Sequence, residues 1–331
     1  MHNIYIAGTG IWYPDDKISN DEIVDSYNSY VKKFNTDNQS DIDNGLIQPM
    51  EFSSTEFIEK ASGIKSRHVI DKEGILDINR MMPRVNNEHP DRLSVHAEVG
   101  IKAAMKAMKQ AEVTADDIDA IILGSSHAAR NYPATAIEIQ KELGIKGYAY
   151  DMLVGCSSTT FAINNAYSDI ASGLANTILV INPEISTPAV NFTHRDKHFI
   201  FGDGCAATIV QKDSKSSKAF KIIDRKLYTQ FSNNIRSNYS YLNRAAVDTK
   251  DNEELLFHQN GRGVFKDVCP LVASLISEQL NKNNILPEEV SKFWLHQANG
   301  KMIRLITSKI LNTDDFDESI TPMPITEFGN L

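Results

Sequence analysis

Short apolar runs alternate along the chain with longer segments in which apolar residues recur at every third or fourth position. Residues 120–123 and 177–181 are continuous apolar runs of strand length, and they predict strands that are buried on both faces. Residues 94–111 have helical spacing instead, and the predicted buried face consists of Ile101, Ala104, Met105 and Met108. Strands that alternate with amphipathic helices predict an α/β protein with largely buried sheets.

Turn and capping residues separate these predicted elements. Residues 3–7 form a predicted strand that Gly8-Thr9-Gly10 closes as a tight turn, since this GxG lacks the third glycine of a dinucleotide-binding fingerprint. Ser19 and the asparagine after it cap a predicted helix. Residues 34–50 and 72–92 are polar, with scattered glycine, proline and asparagine, and they are interpreted as surface insertions in the fold.

The stretch DMLVGCSSTT joins a predicted strand, which ends at Gly155, to a predicted helix that starts after Cys156. The helix presents on one face Ile163, Ala166, Tyr167 and Ile170. Ser157 and Ser158 are expected to cap its first turn, and Gly173 to end it. A thiol at a helix N-terminus is expected to favour the nucleophilic thiolate. The alternative is a small buried apolar side chain, which is the usual role of a free cysteine.

Composition narrows the class of protein. The chain has 331 residues, of which 41% are hydrophobic and 23% charged, as in an ordinary globular protein. A formal net charge of −9 argues against non-specific nucleic-acid binding. Three cysteines without metal-ligand spacing favour a reducing, cytoplasmic location. The amino terminus has no signal-peptide pattern, and no apolar run approaches the ~18 residues of a membrane span.

The chain also contains an internal repeat. Residues 117–123 and 289–295 match at a constant offset, and in both copies an amphipathic helix is predicted to lead through an acidic turn into a buried strand. This self-similarity predicts a duplicated α/β unit.

Polar groups follow three of the predicted strands, in the segments GCS, LHQAN and FGN. They supply Cys156, His296 and Asn330, which are a nucleophile, a base or hydrogen-bond donor, and an amide donor. The ends of strands are where α/β proteins place their sites. The order Cys, His, Asn also occurs in papain-like proteases, but that class has its nucleophile near the mature amino terminus within a CGSCW-like signature. The position of Cys156 after an entire α/β half argues against a protease.

The segments GTGIWYP, SGIKSRH, GCSS, FGDG, VFKDV, WLHQAN and FGN occur in this order, and together they resemble the β-ketoacyl-acyl-carrier-protein synthase III family. The resemblance implies a thiolase-like α/β fold with two duplicated βαβαβαββ halves in five layers, residues 1–214 and 215–331, and a homodimer. The family continues for about forty residues beyond the position of Asn330. Because this chain stops at Leu331, the resemblance implies a truncated chain with an incomplete second half.

The resemblance also implies a reaction. Cys156 takes an acyl group from acyl-CoA, and His296 and Asn330 donate hydrogen bonds to the thioester carbonyl of a malonyl unit carried by acyl carrier protein. Decarboxylation gives an enolate, which the two donors stabilise and which attacks the acyl-cysteine. No cofactor and no metal is expected. The alternatives are a catalytically inactive homologue that acts as a dimer partner or acyl binder, a CoA-ester acyltransferase, and a type III polyketide synthase.

Substrate contacts follow from the same resemblance. Phe57 matches the aromatic residue that stacks on the CoA adenine, but Ala61 stands where well-known members place an arginine. Asn299 matches a position that contacts the pantetheine arm. Tyr132 matches the aromatic residue that reaches the acyl pocket across the dimer. The alternative interpretation is that Tyr132 only packs in the dimer interface. The two insertions flank the expected entrance, so a medium-chain primer is expected.

Positive charge on the helix after HQAN is expected to dock the acidic carrier protein. The residues concerned are Lys301, Arg304 and Lys309. The alternative is a solvated helix face. His194-x-Asp196-x-His198 has the alternation of a strand-borne metal site, but such short motifs match by chance and no metal is expected. Cys205 and Cys269 lie in apolar patterns and are expected in the core.

Overall fold

The computed structural model describes residues 3–85, 91–214, 216–237 and 256–331. The chain divides into two compact units. Unit 1 comprises Met1–Asp15, Val85–Ser186 and Asp203–Leu227, and unit 2 comprises Asp16–Arg84, Thr187–Gly202 and Tyr228–Leu331. The predicted halves, residues 1–214 and 215–331, were defined by an internal duplication, whereas the two units are defined by compactness. The predicted halves therefore stay a prediction.

The strands in the described residues are β1 (Ile4–Trp12), β2 (Lys17–Ser19), β3 (Ser66–His68), β4 (Ala120–Ser125), β5 (Tyr148–Leu153), β6 (Thr177–Ile185), β7 (Asp203–Lys212), β8 (Phe220–Lys221), β9 (Ile235–Arg236) and β10 (His258–Gln259). The helices there are α1 (Asn20–Asp37), α2 (Gln39–Asp43), α3 (Thr55–Ser62), α4 (Lys72–Leu76), α5 (Val95–Ala111), α6 (Thr135–Leu143), α7 (Ser158–Ser172), α8 (Gly261–Lys282), α9 (Gly300–Leu311) and α10 (Ile325–Phe328). The α/β class predicted from the sequence is confirmed.

Unit 1 is built on a six-stranded sheet with the order β5-β4-β6-β7-β1-β8. β4 pairs in parallel with β5 and β6, and the pairs β6–β7, β7–β1 and β1–β8 are antiparallel. Alternate side chains of β4 and β6, such as Ile122 and Val180, pack with Ala162, Ala166 and Ile170 of α7. Side chains on the opposite face meet other helices, since Gly100 of α5 abuts Ile181. Helices on the two faces bury both sides of β4.

The turn predicted at Gly8-Thr9-Gly10 was wrong, and the predicted buried face of α5 was wrong in part, since Ala104 is buried but Met105 is not. One contact explains both differences. Gly8 and Gly10 lie inside β1 rather than in a turn. A Cβ on Gly10 would lie 2.5 Å from the backbone nitrogen of Ala107 and closer still to the carbonyl oxygen of Ala103, so the glycines let α5 approach the sheet. This contact selects the small residues of α5 for burial, whereas Met105, on the predicted buried face, is 60% exposed.

Unit 2 is mainly helical, and its described residues form three apolar clusters. One joins α1, α3 and α4 to Val190, Phe192 and Phe199, and another joins α8, α9 and Phe293. The third is small and consists of Ile64, Ile303 and Ile325. The segments interpreted as insertions are partly helical, because α1 extends to Asp37 and is followed by α2, while α4 begins at Lys72. Residues 86–90 of the second segment lie outside the described residues. Ser19 caps α1 in a reciprocal capping box with Glu22, as predicted in part.

The internal repeat is visible in local structure. A 3₁₀ helix follows the long helix in both copies, at Ala115–Asp117 after α5 and at Pro287–Glu289 after α8. The first copy then enters β4, but residues 290–295 form no strand. A strand requires a hydrogen-bonded neighbouring strand, and no described strand pairs with residues 290–295. The apolar segment therefore forms no regular β-structure. The predicted second strand is therefore wrong for the described part of the chain.

The residues considered for a metal site lie in turns rather than in a strand. His198 is 1% exposed and stacks on Tyr27 with 4.4 Å between ring centroids. Within the described residues, no group of three His, Cys, Asp or Glu side chains is arranged to hold a metal ion. The predicted burial of Cys205 and Cys269 is confirmed.

Burial of His198 predicts a loss of stability in acid. Burial lowers the pKa of His198 to about 3, against an ordinary value of ~6.5 in the unfolded chain. Above pH 6.5 both states are neutral, whereas between pH 6.5 and 3 only the unfolded state binds the proton, so stability falls as the pH falls. We expect His198→Phe, which keeps an aromatic ring against Tyr27, to flatten this decline by about 1.4 kcal/mol per pH unit.

Urea unfolding of both proteins at pH 6.5, 5.5 and 4.5 measures this slope. Other groups contribute equally to the two proteins, so the difference between the slopes isolates His198. Parallel slopes for the two proteins would contradict the prediction.

Candidate active site

Cys156 lies in a turn between the sheet and a helix of unit 1, as the sequence predicts. β5 ends at Leu153, a 3₁₀ turn covers Gly155–Ser157, and α7 follows. Gly155 has a φ of +57°, a left-handed conformation that glycine adopts without strain, and this lets the chain turn sharply before the thiol. Cys156 is exposed, unlike the other two cysteines. The turn therefore presents the thiol to solvent at the end of β5.

The serines after Cys156 do not act as the predicted helix caps. Ser157 is the N-cap residue but makes no side-chain capping bond. The Ser158 hydroxyl accepts a hydrogen bond from the Val154 N–H at 3.0 Å and lies 2.7 Å from the Gly155 carbonyl oxygen. It also lies 3.0 Å from the Ser125 carbonyl oxygen at the end of β4, so its single proton serves one of the two carbonyls. Ser158 thus ties both flanks of the cysteine turn to the sheet.

A buried polar network continues beneath this turn at the ends of β4 and β6. The Ser125 hydroxyl donates to the Pro183 or the His127 carbonyl, and the Asn182 amide donates to the Gly124 carbonyl at 2.8 Å. Glu184 accepts a hydrogen bond from the Ser126 N–H at 2.9 Å. Since parallel strands end at the same edge of a sheet, this network holds the strand ends that support the nucleophile. The sequence alone did not identify it.

The electrostatics of the thiol differ from the expectation. Although the Cys156 side chain is accessible, the protein atoms around it partly desolvate the thiol and raise its pKa, and the nearby Glu184 carboxylate raises it further. Burial also raises the pKa of Glu184 to about 7, against the hydrogen bonds from Ser126. These two effects oppose the helix N-terminus, so the resting thiol is protonated near neutral pH. The predicted thiolate is not the resting state.

Loss of the Ser158 hydroxyl should loosen the cysteine turn. For the acylation of Cys156 that the family resemblance implies, we expect Ser158→Ala to slow the reaction by about tenfold, since hydrogen bonds worth ~1 kcal/mol each would be lost at the turn. The measurement is the rate of thioester formation with an acyl-CoA, followed by intact mass. Ser157→Ala is the matched control, because the Ser157 hydroxyl makes no capping bond. Equal rates in the two variants would assign Ser158 no role in placing the thiol.

His296 lies in unit 2, in the irregular segment before α9. Its side chain is accessible, and its ring forms no hydrogen bond with a described residue. Partial desolvation by the surrounding protein lowers the pKa of His296 below its ordinary value. The imidazole is therefore neutral at pH 7, with one nitrogen that donates and one that accepts.

Asn330 also belongs to unit 2 and follows α10. Its N–H donates to the Ile200 carbonyl at 2.9 Å, and its carbonyl accepts from the Gly202 N–H at 3.1 Å. A Cβ on the preceding Gly329 would lie 3.1 Å from Cβ of the buried Arg67, and Gly329 has a φ of +77°. The backbone of Asn330 is thus fixed, while its carboxamide forms no hydrogen bond with a described side chain or backbone group. The residue is 7% exposed.

Phe57, the aromatic residue expected at a CoA adenine, is paired with an arginine that no sequence pattern indicates. The guanidinium of Arg195 lies 3.9 Å from the centroid of the Phe57 ring, and Phe199 contacts the ring edge-on. Arg195 donates from Nε to the Phe52 carbonyl at 2.8 Å, which orients the guanidinium. An arginine therefore stands beside Phe57 although Ala61 occupies the expected position. Arg195 is distant in sequence from Phe57, so no local signal revealed it.

Asn299 has a structural function in addition to the predicted one. Its side-chain oxygen accepts from the N–H groups of Lys301 and Met302 and caps α9. Its amide donates to the Ala61 carbonyl at 2.7 Å, linking α9 to the end of α3. The predicted contact with a pantetheine arm stays a prediction.

The predicted docking cations all lie on α9 and are exposed, but they are not equivalent. Arg304 forms an ion pair with Glu318, which offsets its charge. Lys301 and Lys309 form no ion pair with a described residue. Tyr132 is 85% exposed, and β5 pairs with β4 alone among the described strands, so one edge of this sheet is open.

Comparison with known proteins places this architecture in a family. Residues 150–230 match the family model for 3-oxoacyl-[acyl-carrier-protein] synthase III. The chain is 48% identical over 293 residues to a β-ketodecanoyl-[acyl-carrier-protein] synthase of Pseudomonas aeruginosa, covering 88% of this chain and 84% of that protein. It is 29% identical over 293 residues to a β-ketoacyl-[acyl-carrier-protein] synthase III of Campylobacter jejuni, covering 87% and 80% of the two chains.

Solved structures agree on the fold. The crystal structure of a 3-oxoacyl-(acyl carrier protein) synthase III from Pseudomonas aeruginosa matches with a TM-score of 0.74 and 18% identity, covering 99% of this chain and 85% of that one. A synthase III from Aquifex aeolicus matches with a TM-score of 0.68 and 23% identity, covering 99% and 86%. No helix in the described ranges is long and apolar enough to cross a bilayer.

The sequence relatives define a condensing enzyme, and the solved structures confirm the predicted thiolase-like fold class. The chain belongs to the β-ketoacyl-acyl-carrier-protein synthase III family, the acyltransferases that carry out condensation in fatty-acid biosynthesis.

Proposed function

We propose that this protein condenses an acyl primer from acyl-CoA with malonyl-acyl-carrier protein through an acyl-Cys156 intermediate. The Cys156 sulfur attacks the acyl carbonyl, a thioester forms, and CoA leaves with the thiol proton. The malonyl unit loses CO₂, and its enolate carbon attacks the acyl-cysteine. A carbon–carbon bond forms, the Cys156 thiolate is released, and the product is a β-ketoacyl thioester on the carrier. The observation that carries this proposal is the single exposed cysteine on the turn between β5 and α7.

His296 and Asn330 supply the donors for the enolate oxygen in this proposal. A lowered pKa keeps His296 neutral, so one ring N–H can donate without an imidazolium charge. Backbone hydrogen bonds fix Asn330 on the segment of Ile200 and Gly202, which supports a preset amide donor. Preset donors stabilise charge that develops in the transition state and need no rearrangement during the reaction.

The primer in this proposal is a medium-chain acyl group. The Pseudomonas aeruginosa relative is named for a β-ketodecanoyl product, and two of those ten carbons come from the malonyl unit, which leaves an eight-carbon primer. Phe57 and Arg195 offer a π surface and a cation for the CoA adenine. Asn299 is proposed to reach the pantetheine arm beyond its capping contacts.

The partners are an acyl carrier protein and a second copy of the chain. Lys301 and Lys309 provide the exposed charge for an acidic carrier, with Arg304 contributing less because of Glu318. The open edge of β5 and the exposed Tyr132 favour a homodimer through this part of unit 1. The proposed reaction needs no cofactor. Three free cysteines in the described residues support the proposed cytoplasmic location.

A chain-length series tests the proposal. The protein is incubated with acetyl-, hexanoyl-, octanoyl- and decanoyl-CoA, and the intact chain is weighed. We expect an adduct on Cys156 that forms fastest with octanoyl-CoA and is discharged by malonyl-acyl-carrier protein. Strict use of acetyl-CoA would contradict the medium-chain assignment. A folded protein that takes no adduct from any donor would support the inactive homologue instead.

A further inference from the structure

The segment that carries His296 lacks regular secondary structure. Residues 291–299 lie between the 3₁₀ helix Pro287–Glu289 and α9. Backbone bonding fixes the start of this segment, since the Phe293 N–H donates to the Ile320 carbonyl at 2.8 Å. A catalytic donor must be held within a fraction of an ångström, so an irregular segment needs side-chain support close to His296.

Gln297, the next residue, provides that support. Its Nε2 donates to the Leu295 carbonyl at 2.9 Å and to the Pro322 carbonyl at 3.2 Å. Its Oε1 accepts from the Ile325 N–H at 3.1 Å. A carboxamide has two N–H donors and one acceptor oxygen, so the two carbonyls and one N–H around Gln297 match its chemistry and fix its orientation. The side chain therefore links the backbone just before His296 to Pro322 and Ile325, which lie 25 and 28 positions after Gln297.

The Ile325 contact extends this link to the second predicted donor. Ile325 is the first residue of α10, where backbone N–H groups lack intrahelical partners, and the N-cap residue Pro324 provides no side-chain cap. Gln297 supplies the missing acceptor. α10 ends at Phe328, and Gly329 then turns the chain into Asn330. One carboxamide thus holds the segment of His296 and the start of the short helix that leads to Asn330.

We propose that Gln297 is a positioning residue that sets the placement of His296 relative to Asn330. The inference rests on the proposed function, and it concerns the decarboxylation and condensation step alone. Without Gln297 the segment and the helix lose their shared anchor, so the two donors no longer converge on one oxygen. Acylation of Cys156 uses neither donor, and it should continue.

The experiment compares the two half-reactions in Gln297→Leu. We expect acylation by octanoyl-CoA to stay within twofold of the wild-type rate and discharge by malonyl-acyl-carrier protein to slow at least tenfold. Gln39→Leu makes the same substitution at an exposed position of α2 and should change neither rate. Equal losses in both steps, or no loss in either, would overturn the inference.

A near-isosteric variant separates hydrogen bonding from packing. In Gln297→Glu the ionised carboxylate still accepts from Ile325 but faces the Leu295 and Pro322 carbonyls without a donor. Protonation restores one O–H donor. We therefore expect the discharge rate, relative to wild type at the same pH, to rise at least threefold from pH 8 to pH 5.5. A constant ratio would show that Gln297 only fills space, and this variant decides the matter if Gln297→Leu does not fold.

Different results would refute the proposed function and the inference about Gln297. A wild-type protein that takes no acyl adduct overturns the proposed function and this inference with it. A wild-type protein that completes both steps, with both Gln297 variants unchanged, overturns the inference alone.

Discussion

Replacing Cys156 by serine should abolish the acyl adduct and lower the rate of condensation at least ~1,000-fold. The substitution replaces the only exposed thiol among the three cysteines with a hydroxyl of similar size. A serine hydroxyl is a far weaker nucleophile at neutral pH, and the described surroundings of Cys156 contain Glu184, a group that disfavours negative charge at that position. Intact mass after incubation with octanoyl-CoA measures the adduct directly.

Cys269→Ala is the matched control for this experiment. Cys269 is buried, and its burial raises the pKa of its thiol, so its loss should leave the adduct in place. If the adduct persists in Cys156→Ser and is lost in Cys269→Ala, the acyl group is carried by Cys269, and the assignment of Cys156 is refuted.

The raised pKa of the Cys156 thiol predicts that the acylation rate depends on pH. Because the pKa of Cys156 is raised above its ordinary value, the thiolate fraction and the acylation rate should climb up to ~10-fold per pH unit between pH 6 and 8. Glu184 loses its proton over this range, since its pKa is about 7, and its charge then opposes formation of the thiolate. In Glu184→Gln the profile should move to lower pH.

Removing either proposed hydrogen-bond donor, His296 or Asn330, should give the second largest effect, and this effect should be confined to the discharge of the acyl-enzyme. We expect His296→Ala and Asn330→Ala each to slow discharge of the acyl-enzyme by ~100- to 1,000-fold while acylation changes less than about threefold. In the proposed mechanism both donors act on one developing oxyanion, so the double variant should lose less than the product of the single effects. Rapid-quench measurement of the two half-reactions separates the steps.

Asn330→Asp provides the sharper comparison at this position. The side chain keeps its size but replaces the amide donor with a negative acceptor, so discharge should be at least as slow as in Asn330→Ala. If Asn330→Asp condenses at the wild-type rate, Asn330 does not donate to the enolate. A loss of acylation that equals the loss of discharge would instead indicate a general structural defect.

Local sequence patterns predicted the elements that depend on interactions between neighbouring residues. The helix after Cys156, its end at Gly173 and the strand before the turn all appear as expected, because periodicity and a left-handed C-cap are properties of neighbouring residues. The capping box at Ser19 is of the same kind. The repeated 3₁₀ helix at Pro287–Glu289 could also be anticipated from the acidic turn that it shares with the first copy.

Other errors arose where packing selects between possible outcomes. The predicted buried face of α5 favoured large apolar residues, but Gly8 and Gly10 of β1 bring the helix so close that only small residues fit between them. Residues 290–295 have the apolar pattern of a strand, yet pairing depends on a neighbouring strand rather than on the segment itself.

By itself, the sequence determined the α/β class and the family, and it predicted Cys156, His296 and Asn330 as the site residues. Only the tertiary structure decided how these groups are supported and charged. Ser158 bonds to the end of β4, Gln297 bonds to the start of α10, and partial desolvation together with the Glu184 carboxylate leaves the Cys156 thiol protonated at rest. The physical reason is that hydrogen-bond partners and desolvation come from residues far apart in the chain, whereas turns and helix caps are decided within a few positions.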